Sequence, residues 1–151
     1  MKHNLVVIIL LLALVSAVTA QVKPPIRPPL RPPIRIPSNV TGHYRFRQNE
    51  FRNRLDVRQL SGGRIKFQLV ALWVSHNYPD NIHNGELHGV VKIDQGVATY
   101  ENEDCTITMR FTLGRVVVTE SAANPPCGFG VNVTAAGSYL KVNSKNPKFD
   151  F

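Results

Sequence analysis

Cysteine is scarce in this chain: two in 151 residues, too few for a disulfide-dense miniprotein or a four-cysteine zinc finger. Acid is missing from residues 21–37, which hold Lys23, Arg27, Arg31 and Arg35 and no Asp or Glu. No segment carries the apolar i, i+3, i+4 stripe of an amphipathic helix, which sets aside helical bundles. Proline is abundant before residue 40 and nearly vanishes after it. Beyond the first twenty residues no apolar run approaches the roughly 20 residues of a membrane-spanning helix. Common catalytic signatures are missing too: there is no G-x-S-x-G elbow, no Cys–His nucleophile arrangement and no phosphate-binding glycine loop. What remains is 43% hydrophobic and 19% charged, a balance that predicts a globular body rather than a disordered one.

Residues 1–20 read as a secretory signal peptide. Lys2 and His3 give a short basic start, Leu5–Val15 is an unbroken apolar run, and Val18-Thr19-Ala20 offers small residues for cleavage before Gln21. The apolar stretch is too short for a transmembrane anchor. The expected location is therefore secreted: extracellular, or periplasmic in a bacterium. The mature chain would carry 17 bases and 10 acids, unevenly spread. Residues 38–64 have six arginines against Glu50 and Asp56, whereas residues 65–151 have seven bases against eight acids. A cationic front half thus joins a nearly neutral body, and the domains expected are 1–20, 21–40 and 41–151.

Val22 to Pro37 reads V-K-PPIR-PPLR-PPIR-IP, three near-identical four-residue units in a stretch that holds seven of the eleven prolines. Proline lacks an N–H and restricts the residue before it, so the arm is expected to form a polyproline II rod about 50 Å long. A four-residue repeat on a three-residue turn winds Arg27, Arg31 and Arg35 around the rod, which suits diffuse attraction to an anionic surface. A charged, semi-rigid spacer is the simpler reading. The Pro-Pro-Ile-Arg and Arg-Pro-Pro units also resemble the proline-rich antimicrobial peptides of animals, and that resemblance implies a host-defence role.

From Thr41 onward the pattern has period two. Tyr44 and Phe46 alternate with Arg45 and Arg47; Leu55 and Val57 alternate with Asp56 and Arg58. Ile65, Phe67, Leu69, Ala71 and Trp73 share a face, while Val70 and Leu72 opposite them suggest burial on both sides. A polar loop is expected over His76–Gly85, and strands over Leu87–Ile93, Val97–Glu101, Cys105–Phe111, Arg115–Glu120, Cys127–Ala135 and Ser138–Val142. About eight short strands predict an all-β antiparallel barrel or sandwich, most simply a meander. Closing a barrel removes sheet edges, as a secreted monomer needs, and a small barrel can be filled by side chains or hold one apolar ligand. For an exported chain a Cys105–Cys127 disulfide is the economical reading, with free thiols or a metal pair as alternatives.

The most distinctive stretch is Cys127-Gly128-Phe129-Gly130-Val131-Asn132-Val133-Thr134-Ala135-Ala136-Gly137-Ser138-Tyr139. With Asn84-Gly85-Glu86-Leu87, Ala98-Thr99-Tyr100 and Cys105 to Phe111, it resembles small secreted bacterial β-proteins with a C…CGFG…GxY ending, some grouped loosely with lysozyme inhibitors. The resemblance spans residues 84–139. It implies a compact barrel with one disulfide and, further, a protein inhibitor of a peptidoglycan hydrolase acting through loops such as 76–85. The serine/glycine-rich inhibitory loop of the membrane-bound lysozyme inhibitors is not visible, and a cationic inhibitor would be repelled by cationic lysozymes.

Chemistry-bearing clusters are few. His76, Asp80, His83 and His88 lie close in sequence, but their spacing fits no metal-ligand framework, so neither metal nor cofactor is expected. Glu101, Glu103 and Asp104 fall at a hairpin tip, where a solvated turn is expected rather than sugar chemistry. No catalytic residue is identified and the chain reads as a non-enzyme. The strongest binding candidate is Arg45, Arg47, Arg52, Arg54 and Arg58 among Tyr44, Phe46 and Phe51, joined by Arg27, Arg31 and Arg35 of the arm. Arginine forks pair bidentately with phosphate, sulfate or carboxylate. The expected partner is a polyanionic surface (lipid, glycan or lipopolysaccharide), because an exported chain does not meet cytoplasmic nucleic acid. Asn39-Val40-Thr41 and Asn132-Val133-Thr134 fit the glycosylation sequon, which matters only in a eukaryotic secretory pathway.

Overall fold

Alternating side chains and short polar turns leave the backbone one economical way to pair all its N–H and C=O groups, a sheet closed on itself. The computed structural model describes residues 35–103, 105–122, 126–149 and 151. Its strands are β1 (Gly42–Gln48), β2 (Phe51–Leu60), β3 (Arg64–Val74), β4 (Ile82–Asp94), β5 (Val97–Asn102), β6 (Cys105–Thr112), β7 (Arg115–Ala122) and β8 (Gly137–Asn143). Each pairs antiparallel with the next, and β8 returns to β1, giving a closed eight-stranded meander barrel. Residues 1–34, which hold the expected signal peptide and most of the proline-rich arm, lie outside the described residues.

Turn chemistry sets the register. Gln95 and Gly96 both have positive φ, 45° and 77°, as a two-residue type I′ hairpin requires. This links Asp94 to Val97 directly across β4 and β5. The β1–β2, β3–β4 and β5–β6 turns lie at one end of the barrel, here the top, together with the β7–β8 connection. The other turns and the entry of residues 35–41 lie at the bottom. There Val40 is buried, its carbonyl accepts the Tyr44 hydroxyl at 2.7 Å, and its N–H donates to Gln59 Oε1 at 3.0 Å. Arg35 O accepts from Leu113 N in the β6–β7 turn.

The interior is filled by side chains. Tyr44, Leu55, Ile65, Phe67, Leu69, Ile107, Met109, Phe111 and Tyr139 point inward and are almost wholly buried. Tyr44 meets Phe111 edge-on at 6.0 Å, and Phe67 meets Tyr100 edge-on at 5.5 Å. Each such residue stabilises the fold by roughly 1.5–3 kcal/mol relative to an exposed one. Burial pushes the Tyr44 phenol up to about 12. It also raises Tyr139, where the Asn53 hydrogen bond opposes the shift and the nearby Glu120 charge adds to it.

Residues 127–135, expected to be a strand, are not one. Pro126–Gly128 make a single 3-10 turn, Cys127 and Asn132 have positive φ (53° and 65°), and the segment folds over the top of the barrel. Phe129, Val133 and Ala135 are buried there. Phe129 lies against Gly85, where a Cβ would stand 2.0 Å from the ring. Several attachments hold the segment. A Cys105–Cys127 disulfide ties it to β6, contributing about 3 kcal/mol in the chain-entropy model. Glu120 Oε2 accepts from Thr134 Oγ1 at 2.8 Å and from Ala135 N at 2.9 Å. Asn53 Nδ2 donates to Thr134 O at 2.8 Å, and the Tyr139 hydroxyl donates to Ala135 O at 2.7 Å. The β3–β4 loop is shorter than the sequence suggests, because β4 already begins at Ile82.

Candidate anion-binding face on the barrel wall

On β1 and β2 alternation sends the apolar residues inward, leaving His43, Arg45 and Arg47 outside on β1 and Arg52, Arg54, Asp56 and Arg58 outside on β2. The two-residue turn Asn49-Glu50 then fixes who faces whom: Arg45 lies directly opposite Arg54, and Arg47 directly opposite Arg52. Like charges directly opposed on a sheet are destabilising, so the strands gain nothing from this arrangement themselves.

One carboxylate offsets part of the repulsion. Asp56, its side chain only 7% exposed, takes His43 Nδ1 at 2.8 Å, Arg45 Nη1 at 3.4 Å and Arg54 Nε at 3.5 Å. Three basic groups share this one acid, and the buried Nε of Arg54, in ion-pair range of Asp56, makes no hydrogen bond among the described residues. Arg47 and Arg52 have no acidic partner among them either. Arg52 instead donates to the carbonyls of Asn49 and Phe51, which holds its guanidinium over the β1–β2 turn.

Next to the arginines the wall opens. Backbone pairing between β2 and β3 runs from Leu60–Arg64 to Arg54–Val70 and resumes at Phe51–Trp73, skipping Arg52 and Asn53. Leu72 N is satisfied by Asn53 Oδ1 at 3.0 Å instead. A hollow of about 470 Å³ lies here, rimmed by Arg45, Arg47, Arg52 and Arg54, with Val70 and Leu72 on the β3 side. It can receive a phosphate, sulfate or carboxylate on its rim and an aliphatic or sugar moiety against its apolar side.

Of the arginines singled out from sequence, the structure brings four together: Arg45, Arg47, Arg52 and Arg54. Arg58 is on the same strand but is engaged by the C-terminal tail, donating to Pro147 O with its guanidinium 5.3 Å from the Phe149 ring. Arg35 lies at the opposite end of the barrel, beside the β6–β7 turn, and Arg27 and Arg31 lie outside the described residues. Sequence reasoning did not assign Asp56, Val70 or Leu72 to the site. The apolar residues on the polar side of β3 were the available signal for the last two.

The other candidates are dispersed. His83 lies tilted against Trp73 with ring centres 5.2 Å apart and Nδ1 2.6 Å from Val131 O, and His88 stacks on Phe151 at 4.1 Å. Among the described residues no three His, Cys, Asp or Glu converge as a metal site. Glu101 and Glu103 are exposed at the β5–β6 turn. Asn39 and Asn132 are both exposed, and Asn39 Oδ1 accepts from Thr41 N at 2.8 Å. No helix among the described residues is long and apolar enough to cross a membrane. Comparison with known proteins found no matching family model, curated protein or solved structure.

Proposed function

We propose that this chain is an exported, non-catalytic binding protein whose β1–β2 wall engages polyanionic surfaces such as anionic lipid, sulfated glycan or lipopolysaccharide. The supporting observation is two arginine pairs set face to face, of which only Arg45–Arg54 has a carboxylate, Asp56, within reach among the described residues. An array that repels itself in the free protein gains most from a ligand that supplies the missing negative charge. The Cys105–Cys127 bond fits an oxidising compartment.

The test is heparin affinity of the full chain from about 50 to about 200 mM salt, compared with an Arg47→Gln/Arg52→Gln variant. Log affinity should fall linearly with log salt, and the variant should lose roughly two units of that slope, one for each anion contact removed. Binding indifferent to salt, or a slope the variant leaves unchanged, refutes the reading. If neither heparin nor anionic vesicles bind, the search moves to secreted hydrolases, assayed for inhibition at stoichiometric excess.

A further inference from the structure

Net charge is uneven around the barrel, positive on one side and nearly balanced on the other. Outward positions of β7 are Arg115, Val117, Thr119 and Ser121; those of β8 are Ser138, Leu140 and Val142; those of β1 are His43, Arg45 and Arg47. None of them is acidic. On the far side acids and bases mix and nearly cancel: Glu86, Lys92 and Asp94 lie on β4, Glu101 at the top of β5, Glu103 in the turn after it and Arg110 on β6. Such a distribution orients the molecule, basic half first, toward a negatively charged surface.

Closure of the barrel extends the basic half past the arginine hairpin. Arg45 pairs with Leu140 across the β1–β8 seam, and Leu140 pairs with Arg115 on β7. The Arg115 side chain leans over β8, donating from Nη1 to Ser138 Oγ at 2.9 Å. Beside these cations stand aliphatics open to water: Leu140 is 54% exposed and Val142 62%. Leu113, 69% exposed, adds to them from the adjoining β6–β7 turn, where Gly114 O accepts from Lys141 N.

Resting on the polyanion reading above, we infer that the ligand is the surface of an anionic phospholipid bilayer, and that the footprint centres on β8 and β1. Arg45, Arg47, Arg52, Arg54 and Arg115 meet headgroup phosphates while Leu140 and Val142 enter the acyl boundary. A soluble polyanion would use the arginines and leave the aliphatics in water. A lipid surface uses both, because anionic headgroups and apolar chains lie within a few ångströms of one another. In an eight-stranded barrel each strand turns about an eighth of the circumference from its neighbour. A flat surface therefore touches β8, β1 and β2 together and reaches β7 only through a long side chain, as Arg115 provides.

The test uses the full chain with phosphatidylcholine vesicles, with and without phosphatidylglycerol, and with heparin as the soluble comparison. Binding should need the anionic lipid. Leu140→Ser/Val142→Ser should weaken vesicle binding about tenfold and leave heparin affinity unchanged. Arg115→Gln should weaken both. Both variants change exposed groups, and an unaltered circular dichroism spectrum and melting temperature establish that they fold. Heparin binding without vesicle binding overturns the bilayer inference alone, as does vesicle binding indifferent to the Leu140 and Val142 changes. Failure to bind either ligand overturns the polyanion reading as well.

Discussion

Replacing Asp56 by asparagine should move stability and affinity in opposite directions. The Asp56 carboxylate is nearly enclosed and lies within 3.5 Å of Arg45, Arg54 and His43. Both arginine side chains are more than 40% exposed, so solvent screens much of their attraction. The hydrogen bond from His43, at 2.8 Å, is shorter and more enclosed. Taking about 1.5–3 kcal/mol for a hydrogen bond to a charged group, and little more for the screened pairs, the substitution should cost about 2 kcal/mol. For a chain of this size that lowers the melting temperature by roughly 4–8 °C. The same change releases Arg45 and Arg54 from the one carboxylate that reaches them among the described residues, so heparin affinity at low salt should rise several-fold and its salt dependence should steepen by about one unit. Thermal unfolding followed by circular dichroism gives the first quantity, and a heparin titration over a salt series gives the second. Weaker or unchanged heparin binding in a folded variant would refute the idea that Asp56 restrains the arginines in the free protein. An unchanged melting temperature would show that it does not clamp the strands.

Two other changes probe the scaffold. Gly85→Ala puts a methyl group 2.0 Å from the Phe129 ring; Phe129 must leave its seat, and a loss of about 1–3 kcal/mol in denaturant unfolding is expected. A wild-type midpoint would show that the top segment repacks freely. Alkaline pH should unfold the barrel through its tyrosines. Tyr44 and Tyr139 keep their protons above the ordinary phenol pKa when folded, so their contribution is complete below about pH 10. It falls above that by up to about 1.4 kcal/mol per pH unit for each phenol, until the folded groups ionise. Stability measured from pH 8 to 12 should be flat and then fall; a flat profile throughout contradicts the burial argument.

The strand alternation, the glycine turns and the absence of a helical stripe were enough to determine an all-β barrel or sandwich, because period-two patterning is a local property of the chain. The arginine cluster was visible for the same reason. Its face-to-face geometry follows from the two-residue turn at Asn49-Glu50, which puts Arg47 opposite Arg52 once β1 and β2 form a hairpin. Other features were not local. Phe129, Val131 and Val133 alternate as a strand would, yet Val131 is 71% exposed and the segment lies across the top of the barrel. Its path is decided by the disulfide to β6, by the Glu120 carboxylate, and by the space Gly85 leaves for Phe129. Arg58 reads like its neighbours in the sequence, but Pro147 and Phe149 occupy it in the folded chain. Arg115 and Leu140 join the basic wall only because β8 closes onto β1. That contact spans nearly the whole domain, and sequence alternation cannot encode it, since period two says which face a residue takes but not which strand lies beside it.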